Sequence, residues 1–325
     1  MREGDSYAVL ETFSRAAPSY TDIDEIAGQT GLTIRQVGDA VAHLERLGLP
    51  VESHPVYGHR LPVHFDLIDR EKLSNQLVQS GLNWNVKGAL EVGSTNDLAN
   101  LAATGDVTDG TTYFTEYQSK GRGRLGRKWH SPVGSGLWFS VFRLQNLAIE
   151  DGWQVTLGAG VAVASAISAL TGLEPSLKWP NDVQIDGRKV AGILTESRSD
   201  RKRLKNSTIG IGVNVHLDKS DFPPDLREIA TSIRAAGGEV RRGELLAEIL
   251  TQLSVVSNWK PNRILSAWRK KCRQWGLRVR VERDEGPVEG IAIDLADNGA
   301  FVVELDDGKR LYVHSGDVTH LRTLV

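Results

Sequence analysis

Cysteine is almost absent: 325 residues hold one, Cys272. That excludes an internal disulfide framework and any cysteine-rich zinc site. An excess of one charge is missing too. The 39 basic and 41 acidic side chains leave a formal charge of −2, so nothing global demands nucleic acid or a membrane surface, and any basic site must be local. Long hydrophobic runs are lacking. The most apolar stretch, Val155 to Leu170 (VTLGAGVAVASAISAL), has 16 residues, mostly Ala, Gly, Ser and Val. A bilayer span needs roughly 20, so this segment is expected as a buried core helix and no membrane partner is expected. The opening residues MREGDSYAVLE carry Glu3 and Asp5 and no apolar core. A secretory signal is therefore not expected, and the cytoplasm is the expected location.

What is present suits an ordinary globular protein, with 40% hydrophobic and 25% charged residues. The length suits two or three domains. Residues 1–65 read as a small helical unit. Thr21 is the candidate cap of a helix carrying Ile23, Ile26 and Ala27, which Gly31 breaks. Thr33, with Gln36 three residues on, forms a capping box for a second helix bearing Val37, Val41 and Leu44. The following PVESHPVYGHRLP suits a β wing, so a winged helix-turn-helix is expected. Residues 66–274 mix strand-like runs with helices, an α+β pattern. Residues 275–325 alternate in short runs (LRVRVE, VEGIAIDL, AFVVEL, KRLYVH) separated by DEGP, ADNG and DDG, the chemistry of turns in a small β-barrel or sandwich. The basic run RSDRKRLKNS, Arg198 to Ser207, is expected as a solvated hairpin tip.

The strongest chemical signal is GRGRLGRKWHSP, Gly121 to Pro132. Gly121, Gly123 and Gly126 satisfy G-x-G-x-x-G after a strand-like TTYFTEYQ, but this is not a dinucleotide turn. A Rossmann helix would begin inside the motif and need apolar residues to pack on its sheet. Here Arg122, Arg124, Arg127, Lys128 and Trp129 occupy it. Glycine permits close approach of a ligand, and arginine forks suit carboxylate and phosphate, so the segment reads as a mobile cationic loop around a polyanion. Read alone, an exposed basic loop stays an equal alternative. Four further segments stand out: Ser94-Thr95-Asn96 at a helix start, Lys178-Trp179-Pro180-Asn181-Asp182, the strand VAGILTE (Val190 to Glu196), and the strand IGIGVNV (Ile209 to Val215) with paired glycines. Lys178 lies just ahead of Trp-Pro, in chain that avoids helix geometry.

Taken in order, GSTN, EYQSKGRGRLGRKWHSP, KWPND, KVAGILTE and GIGVNV make the chain resemble the bifunctional biotin–protein ligases, the biotin operon repressor family. The flanking units match too, so the resemblance covers nearly the whole chain. It implies a winged helix-turn-helix, a central mixed α/β catalytic domain of the biotin/lipoate ligase type and a C-terminal SH3-like β-barrel. It also implies a reaction in which the biotin carboxylate attacks the α-phosphate of ATP, giving biotinyl-5′-AMP and pyrophosphate. A lysine of a biotin carboxyl carrier domain of a carboxylase then displaces AMP and forms an amide. Two like charges 4 Å apart repel by about 4 kcal/mol at an effective dielectric near 20, so such a site needs fixed cations.

The resemblance implies these roles. Ser94, Thr95, Asn96 and Gln118 belong to the biotin site, the first two and Gln118 beside the ureido ring. Gly121, Arg122, Gly123 and Arg124 form the loop over biotin and adenylate, Arg122 at the carboxylate–phosphate junction and Arg124 retaining the intermediate. Arg127 meets an ATP phosphate, and Lys178 sits between biotin carbonyl and α-phosphate. Asn181 or Asp182 orients Mg²⁺ or ATP, with Asp182 the candidate metal ligand. Trp129 covers the adenylate, and Asn214 meets adenine or ribose. Leu125 departs from the pattern, because the repressor-type loop often has a further cation there. The stretch after Asn214, with Phe222-Pro223-Pro224, is expected to cover the adenine. The family can also bind operator DNA as a ligand-driven homodimer. Here residues 1–65 hold five basic and nine acidic side chains, a handicap where phosphate contacts supply much of the affinity. Two alternatives stand: a biotin-sensing DNA-binding regulator without useful ligase activity, and a lipoate-type acyl ligase.

Overall fold

The structure, a computed structural model, describes residues 3–63, 65–283 and 286–320. Three helices open the chain: α1 (Glu3–Ala16), α2 (Ile23–Thr30) and α3 (Ile34–Arg46). Thr33 and Gln36 cap α3 reciprocally: the Gln36 N–H donates to Thr33 Oγ1 at 3.3 Å and the Thr33 N–H donates to Gln36 Oε1 at 2.9 Å. The cap of α2 is Asp22 rather than the expected Thr21, because the Asp22 carboxylate reaches the Asp24 N–H at 2.8 Å while Thr21 bridges to His59. Val37, Val41 and Leu44 face inward. A hairpin of β1 (Glu52–His54) and β2 (Gly58–Arg60) follows.

Next come α4 (Arg70–Gln79), β3 (Val86–Val92), α5 (Thr95–Ala102), β4 (Thr112–Gln118), β5 (Gly136–Leu144), α6 (Trp153–Thr171), β6 (Ser176–Lys178), β7 (Asp182–Ile185), β8 (Arg188–Ser199), β9 (Leu204–Asn214), α7 (Arg242–Ser257) and α8 (Pro261–Lys271). Their seven strands form one sheet in the order β3-β4-β5-β9-β8-β7-β6, parallel between β3 and β4 and antiparallel elsewhere. The basic run Arg198 to Ser207 does turn between β8 and β9.

The pleat sorts this sheet into two faces. The face that carries Thr195 receives α6, whose Thr156 hydroxyl donates to Thr195 Oγ1 at 3.0 Å. Helix α6 is long and apolar enough for a membrane span, yet it is a core helix, buried from Val155 to Ile167 at most positions between the sheet, α7 and α8. Leu245, Leu246, Ile249 and Leu250 of α7 are fully buried, each contributing about 1.5–3 kcal/mol. The other face aligns Trp138 and Ser140 of β5 with Gly212 and Gly210 of β9, and these with Gly192 and Leu194 of β8.

The chain then forms a second, antiparallel sheet from β10 (Arg278–Glu282), β11 (Val288–Leu295), β12 (Phe301–Glu304), β13 (Arg310–Val313) and β14 (Asp317–His320), in the order β13-β12-β11-β10-β14. Part of the expected DEGP turn lies outside the described residues. Trp179 joins the two sheets: it stacks on Phe301 at 5.4 Å, and its indole N–H donates to the Gly299 carbonyl at 3.3 Å.

Candidate active site

The glycine-rich face of the large sheet is the floor of a cavity of about 610 Å³. A Cβ on Gly212 would fall 2.6 Å from Trp129, and one on Gly210 would fall 2.1 Å from Asn96 Oδ1. The glycines of IGIGVNV thus let two side chains lie directly on the strands. Every expected site residue lines this cavity except Gly121. Gly121 lies beneath the loop, where a Cβ would meet Ser131 Oγ and the Trp129 carbonyl, each at 2.7 Å.

One end of the cavity is polar. Ser94 precedes α5, and Thr95 and Asn96 begin it, all three buried. Gln118 ends β4 and accepts the Thr95 N–H through Oε1 at 3.0 Å, which turns its Nε2 toward Ser131 Oγ at 3.0 Å. Ser140 Oγ lies 2.7 Å from Thr95 Oγ1 and 2.6 Å from Asn96 Oδ1. Asn96 Nδ2 donates to Glu196 Oε2 at 2.9 Å. Ser140 and Glu196 were not among the expected residues. The available signal for Ser140 was a lone hydroxyl within the apolar strand GLWFSVF; Glu196 simply closed VAGILTE.

The loop's three arginines are all engaged. Arg122 forks onto Asp97 at 2.6 and 2.7 Å and reaches Glu196 at 3.3 Å. It lines the cavity while paired with protein carboxylates, because α5 and β8 bring two of them within reach of one guanidinium. The Arg122 hydrogen bond holds the Asp97 carboxyl below its ordinary range. Arg124 donates to the Gly316 carbonyl at 3.2 Å and to Asn181 Oδ1 at 3.4 Å, and burial lowers its proton affinity. Arg127 pairs with Asp317 at 2.6 Å. The second sheet thus supplies acceptors for two loop arginines, a link that no local pattern announces.

Lys178 ends β6 and faces the same cavity. Among the described residues it has no ion-pair or hydrogen-bond partner. The chain after it is anchored from behind: the Trp179 N–H donates to Gln274 Oε1 at 2.8 Å and Asn181 Nδ2 donates to the Ile193 carbonyl at 2.8 Å. Asp182, the expected metal ligand, is paired with Lys189 at 2.6 Å. Among the described residues no three His, Cys, Asp or Glu side chains converge on a point that could hold a metal. The carboxylates among the described residues that line the cavity, Asp182, Glu228 and Asp317, are each paired with a basic side chain, Lys189, Lys219 and Arg127, so as they stand they do not make a Mg²⁺ site.

At the cavity's other end Trp129 lies over Gly192 and Gly212, with Lys189 Nζ 5.1 Å from its ring centroid. Trp138, Leu217 and Phe222 form a small apolar cluster against it, so the stretch after β9 does fold over this end. Asn214 Nδ2 donates to the Thr231 carbonyl at 2.9 Å. That bond ties β9 to the covering segment.

A second network joins the segment before α4 and the start of α7 to this sheet. Arg242, wholly buried, donates to Glu116 Oε2 at 2.7 Å, to the Gly136 carbonyl at 3.1 Å and to the Asp66 carbonyl. Asp66 Oδ2 accepts from the Arg242 N–H at 2.6 Å and pairs with His216 at 2.8 Å. Burial pushes Glu116 above the ordinary carboxylate value. Burial also acts to raise Asp66, but the bonds from His216 and Arg242 outweigh it and hold it below its ordinary value.

Comparison with known proteins agrees with this geometry. The family model described as the Biotin/lipoate A/B protein ligase family matches residues 91–214, and the Biotin protein ligase C terminal domain matches residues 276–321. The bifunctional ligase/repressor BirA of Bacillus subtilis is 31% identical over 317 residues, covering 94% of this chain and 95% of that protein. The biotin--[acetyl-CoA-carboxylase] ligase of Mycobacterium tuberculosis is 34% identical over 266 residues, 78% of this chain and 96% of that protein. Among solved structures, the biotin protein ligase from Aquifex aeolicus in complex with biotin and ATP is similar with a TM-score of 0.62 and 29% identity, over 74% of this chain and 99% of that one.

Proposed function

This chain belongs to the biotin protein ligase family, and we propose that it is a biotin--[acetyl-CoA-carboxylase] ligase working through biotinyl-5′-AMP. The observation that carries the mechanism is Lys178, a cation that lines the cavity and whose ammonium has no partner among the described residues. At the polar end, Ser94, Thr95, Asn96 and Gln118 hold the ureido ring of biotin. At the other, Trp129, Asn214 and the Phe222 segment hold the adenosine of ATP. The biotin carboxylate and the α-phosphate then meet at Lys178, which screens their repulsion as the carboxylate oxygen bonds to phosphorus and pyrophosphate leaves. The carrier lysine nitrogen next bonds to the acyl carbon, AMP departs with the bonding pair, and the amine loses a proton. No side chain forms a covalent intermediate, so rate comes from positioning and electrostatics. Gly121 and Gly123 give the loop its freedom, and Arg124 and Arg127 close it over the intermediate by leaving Gly316 and Asp317 for phosphate oxygens. Arg122 stays a strut on Asp97 and Glu196. Asn181 orients the chain beside Lys178, and Asp182 is assigned to Lys189 rather than to a metal.

The remaining features extend this reading. Residues 1–65 are a winged helix-turn-helix, 66–274 the catalytic domain and 275–325 an SH3-like β domain, in a cytoplasmic protein. The partner is a biotin carboxyl carrier domain. A biotin-driven homodimer on operator DNA is a second reading, favoured by the capped α3 followed by the β1–β2 hairpin. Its charge is unhelpful, since Arg60 is already paired with Glu52 at 2.7 Å. Fluorescence anisotropy on operator-like duplexes with and without biotin and ATP tests it, and a ligand-independent or absent shift overturns it.

The ligase itself is tested by mass spectrometry of a carrier domain incubated with the protein, biotin, ATP and Mg²⁺. One biotin per carrier, absent without ATP, is expected. Adenylate formed and held without transfer would make the protein a biotin sensor. Lipoyl transfer in place of biotin would make it a lipoate-type ligase.

A further inference from the structure

Resting on the biotin ligase reading, we infer that Leu125 and Ile229 form a docking surface for the carrier domain at the mouth of the cavity. A side chain that both lines the cavity and is exposed stands at its mouth. Six of the described residues do both: Leu125, Arg127, Lys128, Gly187, Glu228 and Ile229. The acceptor lysine has to enter here, because its nitrogen must reach the acyl carbon inside while the folded domain that bears it stays outside.

Two of the six are large and apolar, Leu125 at 75% exposure and Ile229 at 61%. Single exposed apolar side chains are ordinary on a protein surface. Here two come from different segments, the cationic loop and the stretch after β9, and meet one opening. The backbone of Leu125 is also unusual. It holds φ 57° and ψ 29°, the left-handed region, where a β-carbon crowds the following carbonyl. Glycine or asparagine would hold that turn more readily. Its neighbour Arg124 turns back onto Gly316 and Asn181, while Leu125 faces solvent. The loop thus bends at a cost and sets a bulky apolar side chain in water. Ile229 is presented on fixed backbone: its N–H donates to the Leu226 carbonyl at 3.1 Å, and its carbonyl accepts the Lys189 N–H of β8 at 2.8 Å.

Charge selects the occupant. Arg127 pairs with Asp317 at 2.6 Å and Glu228 with Lys219 at 2.7 Å, whereas Lys128 has no ion-pair partner among the described residues. A second copy docked mouth to mouth would bring the two Lys128 cations together. A carrier domain with a carboxylate beside an apolar patch, next to its acceptor lysine, neutralises the cation and covers both apolar side chains.

Steady-state transfer to a carrier domain tests this, with hydroxylamine as a second acceptor. The hydroxylamine nitrogen bonds to the acyl carbon of the adenylate, AMP leaves with the bonding pair, the nitrogen loses a proton, and biotinyl hydroxamate forms without docking. Leu125→Ser and Ile229→Ser should each raise the carrier KM about 5- to 20-fold, with the two effects multiplying in the double variant. Hydroxamate formation should stay within about twofold of wild type. Leu125→Asn suits the left-handed turn and should lose as much as Leu125→Ser, whereas Leu125→Met should return to within about threefold of wild type. An unchanged carrier KM in both serine variants, equal losses with hydroxylamine, or a wild-type carrier KM in Leu125→Asn would each overturn the inference. An unchanged carrier KM with an altered sedimentation coefficient would give the rim to a second copy and overturn it too. A wild-type protein that forms no hydroxamate would refute the biotin reading itself, and with it the partner named here.

Discussion

Arg242→Met is the sharpest test of how α7 and the segment before α4 are tied to the catalytic sheet. The substitution keeps most of the buried volume and deletes the charge that faces Glu116 at 2.7 Å. Both side chains have no exposed surface, and Glu116 Oε1 has no hydrogen-bond partner. Breaking a buried pair by removing one partner typically costs about 3–5 kcal/mol. Glu116 is already pushed above its ordinary value by burial, and Arg242 is the largest influence holding it down. A carboxyl raised in the folded state destabilises increasingly as pH rises from its unfolded value toward its folded one. The loss in Arg242→Met should therefore shrink as pH falls, by at most about 1.4 kcal/mol per pH unit for one proton. Glu116→Gln in that background should recover about 2–3 kcal/mol, leaving the loss of the bonds to Gly136 and Asp66. Urea unfolding at pH 6, 7 and 8 measures both effects. A pH-independent loss, or single effects that add to within about 0.5 kcal/mol, refutes the account of Glu116 as a charge held by Arg242.

Three other outcomes are expected. Lys178→Ala should slow adenylate formation, measured as pyrophosphate release, by about 100- to 1,000-fold; near-normal release removes Lys178 from the chemistry. Gly212→Ala places a Cβ 2.6 Å from Trp129, so nucleotide affinity should fall about tenfold by tryptophan fluorescence titration, with biotin affinity kept; unchanged nucleotide binding would mean Trp129 does not need that floor. Asp66 sits below its ordinary 3.8, so the stability it adds is present above that value and is lost as pH falls through its lower folded value. Wild type should therefore lose stability more steeply than Asp66→Asn below about pH 4, and parallel curves would deny Asp66 that role.

The sequence made much of this legible where the signal was local. The Thr33–Gln36 cap, the hairpin at Arg198 to Ser207, the buried Val155 helix and the cationic loop each follow from residues a few positions apart. The paired glycines marked where something lies close to a strand, and Trp129 and Asn96 do. Legibility stopped where register decided the outcome. Ser140 meets Asn96 because β5 and β9 align Ser140 with Gly210. Glu196 reaches α5 across about a hundred positions of chain, and its neighbours in sequence give no hint of it. Arg122 looked like an anion ligand by type, and its carboxylate partners Asp97 and Glu196 come from α5 and β8, which the loop pattern does not name. Asp182 looked like a metal ligand, and Lys189 of β8, whose register partner is Gln184, reaches across to it at 2.6 Å. Thr21 was the expected cap of α2, and its bridge to His59, distant in sequence, leaves that place to Asp22.

The hold of Gly316 and Asp317 on the loop bears on biosynthesis. Residues 299–317 leave the ribosome long after Ser94 to Asn214, which supply the cavity. Until they fold, Arg124 and Arg127 lack their resting acceptors and Trp179 lacks the Phe301 surface that seats the Lys178 segment. A chain cut short before Gly299 would carry every expected site residue and lack the Gly316 and Asp317 acceptors that hold the loop. Competence to make a reactive acyl-adenylate thus arrives together with the means of confining it, a quality check written into the order of synthesis.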